Sequence, residues 1–142
     1  MISNQSKYAI RGVLYLAIYG SEINKLGSKQ VGENINVPIP FLAKTFQHLS
    51  RKNLITSSKG PKGGFYLNKD QLSGNLMAVI ESLDGNDTFN SCYIGLPKCS
   101  DENPCAIHHI AGPLRNQLKE TLKNKTIAEF AKDTKKGISR IF

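Results

Sequence analysis

Residues 27–67 read GSKQVGENINVPIPFLAKTFQHLSRKNLITSSKGPKGGFYL, and this stretch decides the fold. In its first part, Ser28 can cap a short helix that continues to about Ile35. Pro38 and Pro40 then break the chain, because two prolines this close cannot lie inside a helix. Pro40 is nevertheless well placed near the start of a second helix. A short helix, a tight break and a second helix form a helix-turn-helix pattern.

The second helix, predicted over residues 40–52, has two faces of different chemistry. The apolar face contains Phe41, Leu42, Thr45, Phe46 and Leu49, and the other face contains Ala43, Lys44, Gln47, His48, Arg51 and Lys52. A helix with a polar, basic outer face can enter the major groove of DNA. We predict base or phosphate contacts from Lys44, Gln47 and His48, although His48 could equally be a bystander.

A change of period after the second helix predicts a hairpin. Residues 54–58 and 65–67 have the composition of two strands, and KGPKGG at 59–64 is a turn rich in glycine and proline. A basic-tipped hairpin directly after a helix-turn-helix is a wing, with Lys59 and Lys62 able to reach phosphates or the minor groove. Glycines such as Gly60 allow its tip to approach the duplex closely. The full set of predicted DNA-contacting residues is Ser28, Lys29, Pro40, Phe41, Lys44, Gln47, His48, Arg51, Lys52, Lys59, Gly60 and Lys62.

The positive charge of the chain is concentrated in the same region. The 142 residues carry a formal net charge of +8. Residues 25–69 contain Lys25, Lys29, Lys44, Arg51, Lys52, Lys59, Lys62 and Lys69 against Glu33 alone. A localised positive field of this kind favours a polyanionic partner such as double-stranded DNA, and the alternative is a solvated basic face.

Helical periodicity flanks this region on both sides. We predict helices over 4–19 and 75–84, and an apolar stripe from 107 to 122 that keeps helical spacing to about 124. Gly112-Pro113 interrupts the stripe, so that helix is either kinked or begins near Pro113. Thr126 and Glu129 form a capping box for a last helix over 127–133, and the tail at 135–142 is predicted to be loose.

The apolar stripe at 107–122 must be buried against another apolar surface. It either packs onto its own domain or meets the same helix of a second copy. We favour a homodimer, since helix-turn-helix proteins commonly read two half-sites as two-fold dimers. The predicted fold is mainly α with a small β-hairpin wing: a winged helix-turn-helix domain over residues 1–85, a cysteine cluster loop over 86–105, and a dimerisation helix with a C-terminal tail over 106–142.

The cysteine loop holds all three cysteines of the chain. Residues 92–109 read CYIGLPKCSDENPCAIHH, with the spacing Cys92-x6-Cys99-x5-Cys105-x2-His108. Three thiolates and one imidazole can complete the ligand set of a metal site. The wide gaps favour an object larger than one small ion, such as an iron–sulfur cluster, over a tight Cys-x2-Cys knuckle.

Other interpretations of the loop remain open at this stage. The thiols can be free, can bind zinc, or can form a switchable disulfide with the third cysteine as resolver. A redox enzyme or electron carrier could also use such a loop, but the chain has no Gly-rich nucleotide loop and no plausible nucleophile–base pair. We therefore do not expect an enzyme. No apolar run is long enough to span a membrane and the first residues do not resemble a secretory signal, so we expect a cytoplasmic protein.

These residues together resemble the Rrf2 family of bacterial winged-helix transcriptional regulators. KYAIRGVLYLA at 7–17 looks like its first helix, and residues 37–67 look like its recognition helix and wing, with the G-x-x-G-G turn at Gly60, Gly63 and Gly64. The three-cysteine loop before a dimerisation helix is the mark of the subset that carries iron–sulfur clusters. The resemblance implies a homodimer on a palindromic operator that senses iron–sulfur status, redox or nitric oxide.

The resemblance also bears on the fourth ligand and the cluster type. In the iron–sulfur-biogenesis branch (IscR type) the fourth ligand is a histidine that maps to His108. In the nitric-oxide sensors (NsrR type) it is an aspartate whose position here is Lys7, so we favour His108. The mixed ligand set is similar to the IscR type and favours [2Fe-2S] over [4Fe-4S]. The gap between the first two cysteines is one residue longer here than in the IscR type. The IscR-type recognition helix begins with Ser-Tyr-x-Glu, where this chain has Pro40, Phe41 and Ala43. That difference implies a different operator.

Overall fold

The fold is described from a computed structural model that covers residues 2–137 and 139–142. Met1 of the predicted N-terminal domain and Ile138 of the predicted tail lie outside the described residues. The elements within them are α1 Asn4–Tyr19, α2 Ser28–Ile35, α3 Ile39–Arg51, β1 Thr56–Ser58, β2 Gly64–Tyr66, α4 Lys69–Leu72, α5 Leu76–Asp84, α6 His108–Asn124 and α7 Ile127–Lys135. The prediction of a mainly helical fold with one small hairpin is confirmed.

Helix α1 lies at the centre of the molecule, in contact with α2, α3, α5 and α7. Its buried side chains Ala9, Val13 and Leu16 have no exposed surface. Gly12 lets α3 approach, because a Cβ there would lie 2.7 Å from the ring of Phe46. The α2–α3 pair is therefore anchored to α1 by close packing.

The helix-turn-helix forms as predicted, with small differences at its helix ends. The N-cap of α2 is Gly27, and no side chain caps that helix, so the predicted Ser28 cap is wrong. Helix α2 ends at Asn36, which adopts the left-handed conformation with φ of 54°. Helix α3 begins at Ile39, and Pro40 lies in its first turn, where its missing N–H costs no hydrogen bond.

The wing is shorter than the sequence pattern predicted. Strands β1 and β2 are antiparallel, with Thr56 opposite Tyr66. Leu54 is not in β1 because it closes the end of α3: its N–H donates to the Leu49 carbonyl at 2.9 Å, beside left-handed Asn53. This Schellman arrangement satisfies the last carbonyls of α3 and sets where the wing begins.

The segment after the wing contains a helix that the sequence analysis missed. The short α4 begins at a capping box between Asn68 and Gln71. The buried Gln71 side chain also accepts a hydrogen bond from Thr56 Oγ1 at 2.8 Å and donates to the Asn53 carbonyl at 3.2 Å. One amide thus joins the end of α3, the wing and α4, which fixes the wing on the helical body.

The C-terminal helices form as predicted, but the tail differs from expectation. Helix α6 starts at His108 and continues through Pro113, which settles the two alternatives for that helix in favour of an early start. The predicted capping box of Thr126 and Glu129 is confirmed at the start of α7. The tail is not loose in its described part, because Ile141 is 9% exposed and its carbonyl accepts a hydrogen bond from Arg11 of α1. The Ile141 side chain belongs to the buried apolar core, and the hydrogen bond to Arg11 adds a polar link to α1.

Candidate functional site

One face of α3 is free of the protein core. Pro40, Phe41, Lys44, Gln47 and Arg51 are exposed on it, while the opposite face of the helix is buried. The exposed residues recur at three- and four-residue spacing, so they form one continuous strip. The strip presents polar and cationic groups in the arrangement that a major-groove helix requires.

The wing stands beside this strip and is joined to it. Ser50 Oγ of α3 donates to Ser57 Oγ of β1 at 2.9 Å, and the rings of Phe46 and Phe65 lie 5.1 Å apart beneath. Lys59 and Lys62 are exposed at the tip of the wing. The basic tip and the helix strip therefore keep a fixed relation to each other, as a two-part contact with a duplex needs.

Two predicted DNA contacts are placed differently from the rest. His48 is half-buried, and its Nε2 lies 2.8 Å from the carbonyl oxygen of Ser82, so its ring joins α3 to α5. This contact favours the alternative in which His48 is a bystander, and a base contact by His48 stays an untested prediction. Phe41 is 38% exposed, and its ring meets that of Tyr8 edge to face at 5.5 Å. Ser28 is half-buried, and Lys29, Lys52 and Gly60 are exposed.

The three cysteines are free thiols held in the segment between α5 and α6. The structure arranges the four candidate ligands as two pairs. Cys99 Sγ lies 3.4 Å from His108 Nδ1. Cys105 lies near Cys92, close enough for its thiol to lower the Cys92 pKa, and Cys92 is almost fully buried.

Within residues 2–137 and 139–142, no three His, Cys, Asp or Glu side chains stand close enough together to hold one metal ion. Binding one group through all four ligands would require the two pairs to close toward each other. The donor set itself suits thiophilic metals, since it combines three thiols with an imidazole.

His108 is oriented from both sides of its ring. Nε2 lies 2.7 Å from Oδ1 of Asp101, while Nδ1 faces Cys99. A carboxylate on one imidazole nitrogen fixes the tautomer and leaves the other nitrogen as the acceptor. This geometry makes Nδ1 the nitrogen that is free to ligate.

The surroundings of Cys92 favour its thiolate. The backbone N–H of Ile94 is the main cause that lowers the pKa of this thiol, against the opposing effect of burial, and the Leu96 N–H and the Cys105 thiol act in the same direction as Ile94. A lowered thiol pKa is typical of cysteines that bind metals or react.

Arg115 of α6 completes the loop on the side of Cys99. Its Nη1 donates to the Ser91 carbonyl at 2.9 Å and lies 3.5 Å from Cys99 Sγ. Its Nε is buried and has no hydrogen-bond partner among the residues that the structure describes. An unpaired buried N–H beside a set of thiols suits a site that receives an anionic group. The residues present thus fit a thiolate-bound cluster in their donor chemistry.

Helix α6 also carries a large exposed apolar face. Ile110, Leu114 and Leu118 are 70%, 63% and 42% exposed. Together with Phe89 and Tyr93 they line an apolar groove of about 440 Å³ that borders Cys92. Contiguous exposed apolar surface of this kind is typical of an interaction site.

The model of the family described as "Rrf2: Iron-dependent Transcriptional regulator" matches residues 2–133. The chain belongs to the Rrf2 family. Its members are DNA-binding transcriptional regulators and not enzymes, which excludes the alternative interpretation as a redox enzyme or electron carrier.

Curated relatives of this Rrf2 chain extend over almost all of it. It is 30% identical over 131 residues to an Aquifex aeolicus protein named as an HTH-type transcriptional regulator, an alignment that covers 91% of this chain and 90% of the relative. It is 27% identical over 128 residues to the HTH-type transcriptional regulator IscR of Yersinia pseudotuberculosis, covering 90% and 77%.

Solved structures share the same winged-helix fold. CymR, the global cysteine regulator of B. subtilis, matches with a TM-score of 0.74 at 19% identity, over 93% of this chain and 96% of that one. IscR of T. potens matches with a TM-score of 0.70 at 18% identity, over 98% and 91%. No helix in the described part of this Rrf2 chain has the length and apolarity needed to cross a membrane.

The sequence analysis of this Rrf2 regulator missed two residues of the cysteine loop and its surroundings. Asp101 is a highly exposed carboxylate between two cysteines, and spacing gave no reason to pair it with His108. Arg115 had a detectable signal, because it follows His108 by seven residues and therefore shares its side of the helix. A cation on the same helix face as a candidate ligand is the pattern that would have found it.

Proposed function

We propose that this Rrf2 regulator acts as a homodimer on a two-fold operator and holds an iron–sulfur cluster through Cys92, Cys99, Cys105 and His108. The observation that carries the proposal is the position of His108. It contacts Cys99 and is also the first residue of α6, the helix that bears the exposed apolar face. A change at the ligands therefore acts directly on the helix that would join the two subunits.

The cluster would supply a one-electron redox centre that oxidants and nitric oxide can damage, which suits a sensor of iron–sulfur status or redox. The mixed Cys and His ligands favour [2Fe-2S] over [4Fe-4S]. The protein's own part is to hold the thiolates, to orient the His108 ring through Asp101, and to link the ligands to α6. Two states of α6 would then place the recognition helices differently on DNA.

DNA contact is proposed to come from the α3 strip and the wing. Lys44 and Gln47 face the base edges, while Arg51, Lys52, Lys59 and Lys62 neutralise phosphates. Gln47 can make a bidentate contact with adenine, whereas a lysine contact with phosphate carries no sequence information. The two groups of residues should thus differ in what their loss does to binding.

A selection from a randomised duplex pool tests this interface. We expect the wild-type protein to enrich an inverted repeat whose half-sites lie about one helical turn, or a multiple of it, apart. Gln47→Ala should relax preference at one base pair per half-site by about 1–3 kcal/mol. Lys59→Ala should weaken binding to all sequences, and Lys132→Ala, at an exposed position of α7, should change neither. Enrichment of a site without two-fold symmetry would contradict the dimeric operator.

Anaerobic purification followed by iron, sulfide and zinc analysis tests the cluster. We expect a coloured protein with matched iron and acid-labile sulfide. Cys99→Ser should lose most of both, because one thiolate of four ligands is removed. Ser100→Ala, in the same loop but with no ligand atom, should retain them. A colourless protein with one zinc per chain would replace the cluster by a zinc-stabilised DNA-binding module.

A thiol switch without a metal is the second candidate. The contact between the Cys92 and Cys105 thiols favours it, since a peroxide could oxidise this pair to a disulfide with release of water. Absence of all metals after anaerobic reconstitution, with peroxide-dependent loss of operator binding, would support this alternative.

A further inference from the structure

We propose that Arg115 is a positioning residue that fixes the Cys99 side of the cysteine loop and raises the electron affinity of the group bound there. The inference rests on the proposed function, because it concerns the same ligand set. It extends that function from the identity of the ligands to the control of their redox behaviour.

Arg115 contacts both ends of the segment that runs from Cys92 to Cys99. Nη1 reaches the carbonyl of Ser91, directly before Cys92, and also lies beside Cys99 Sγ. One guanidinium nitrogen therefore ties together the two ends of the Cys92–Cys99 segment. Because Arg115 belongs to α6, it also ties that segment to the helix on which His108 lies.

A second nitrogen of the guanidinium group, Nε, is buried and makes no hydrogen bond within the described residues. An unpaired buried N–H costs free energy that an acceptor in the loop would recover, and charged donors gain the most from such a bond. A sulfur-rich anion in the loop is an acceptor of that kind.

The charge of the bound group determines the direction of the effect. Three thiolates give the cluster a net negative charge, and reduction adds one further electron. A nearby cation and N–H···S bonds stabilise the reduced form more than the oxidised form, so they raise the reduction potential. Removing Arg115 should therefore lower the potential and loosen the loop.

Lys119 provides a matched control on the same helix. It lies one turn after Arg115, and its Nζ donates to Asn90 Oδ1 at 3.3 Å, so it also links α6 to the loop segment. It contacts no cysteine according to the bonds that the structure describes. Lys119→Gln thus removes the same charge and a similar tie without touching a ligand.

The experiment compares the anaerobically loaded wild type with Arg115→Gln, Arg115→Lys and Lys119→Gln. Dye-mediated titration gives the midpoint reduction potential of each protein. The decay of the visible absorption in air gives the lifetime of the bound cluster. We expect a lower potential and a several-fold shorter lifetime for Arg115→Gln, a smaller change for Arg115→Lys, and no change for Lys119→Gln. Wild-type potentials in both Arg115 variants would overturn the proposal.

Two further outcomes separate this inference from the proposed function. If Arg115→Gln does not fold or load, Arg115→Lys decides alone: a lowered potential supports the proposal and a wild-type potential overturns it. If the wild type itself takes up no iron, the cluster fails, and the positioning role is measured on the metal-free protein. Chymotrypsin should then cut after exposed Tyr93 several-fold faster in Arg115→Gln than in Lys119→Gln, and equal rates would overturn the proposal.

Discussion

Leu114→Glu is expected to convert the protein to a monomer and to abolish tight operator binding. Leu114 is 63% exposed at the middle of the apolar face of α6, between Ile110 and Leu118. In a two-fold dimer each substitution acts twice, because the same surface patch occurs on both subunits. Two lost leucine burials of about 2 kcal/mol each would raise the dimer dissociation constant about a thousandfold.

The charge of the new residue adds to this effect, since two carboxylates would be forced out of water near each other. Sedimentation velocity gives the oligomeric state, and fluorescence anisotropy on the selected operator gives the affinity. Lys123→Gln changes the net charge of the same helix by the same amount at an exposed position outside the apolar groove, and should stay dimeric. A dimeric Leu114→Glu protein with wild-type affinity would show that this face has another role.

Gly63→Ala is expected to disrupt the wing while the helical body stays folded. A Cβ at Gly63 would lie 2.2 Å from the carbonyl oxygen of Ser58 and 2.9 Å from that of Gly60, both rigid backbone atoms. The same turn is closed by the Gly63 N–H, which donates to the Gly60 carbonyl at 2.9 Å. The tip must therefore open, and Lys59 and Lys62 lose their position beside α3.

We expect operator affinity to fall at least tenfold, since about two phosphate contacts per subunit depend on the wing. Gly27→Ala is the control, because a Cβ at Gly27 meets no atom within 4 Å and its backbone is extended. That variant should bind DNA normally. Circular dichroism separates loss of the wing from global unfolding, and wild-type affinity in folded Gly63→Ala would exclude the wing from DNA contact.

The DNA-binding half of the molecule was predictable because its signals are local. Pro38 and Pro40 separate two helices by chemistry that holds in any context, and the glycines at 60, 63 and 64 mark a turn that few other residues could form. Periodicity also assigned the buried side of α3 correctly at Leu42, Phe46 and Leu49. Periodicity could not decide whether His48 is free to meet DNA, because its contact with the Ser82 carbonyl of α5 depends on tertiary packing.

The cysteine loop was predictable in composition but not in arrangement. Spacing identified the four candidate ligands, yet it could not indicate that Cys99 pairs with His108 or that Cys92 meets Cys105. These contacts depend on how a loop without periodicity folds between α5 and α6. The same limit applies to Ile141, whose carbonyl accepts a hydrogen bond from an arginine of α1 that is distant in sequence.

Pro113 gives α6 an uneven resistance to local opening. A proline has no N–H, so the carbonyl of His109 loses its partner four residues on, and the ring crowds that carbonyl as well. The turn that carries His108 is therefore joined to the next turn by one hydrogen bond fewer than a regular helical turn would have. In a hydrogen-exchange experiment this first turn would open as a unit of its own, well before the part of the helix that carries Leu118 and Leu122. The end of α6 that carries His108 can thus change its position at low cost while the remainder of the helix keeps its register.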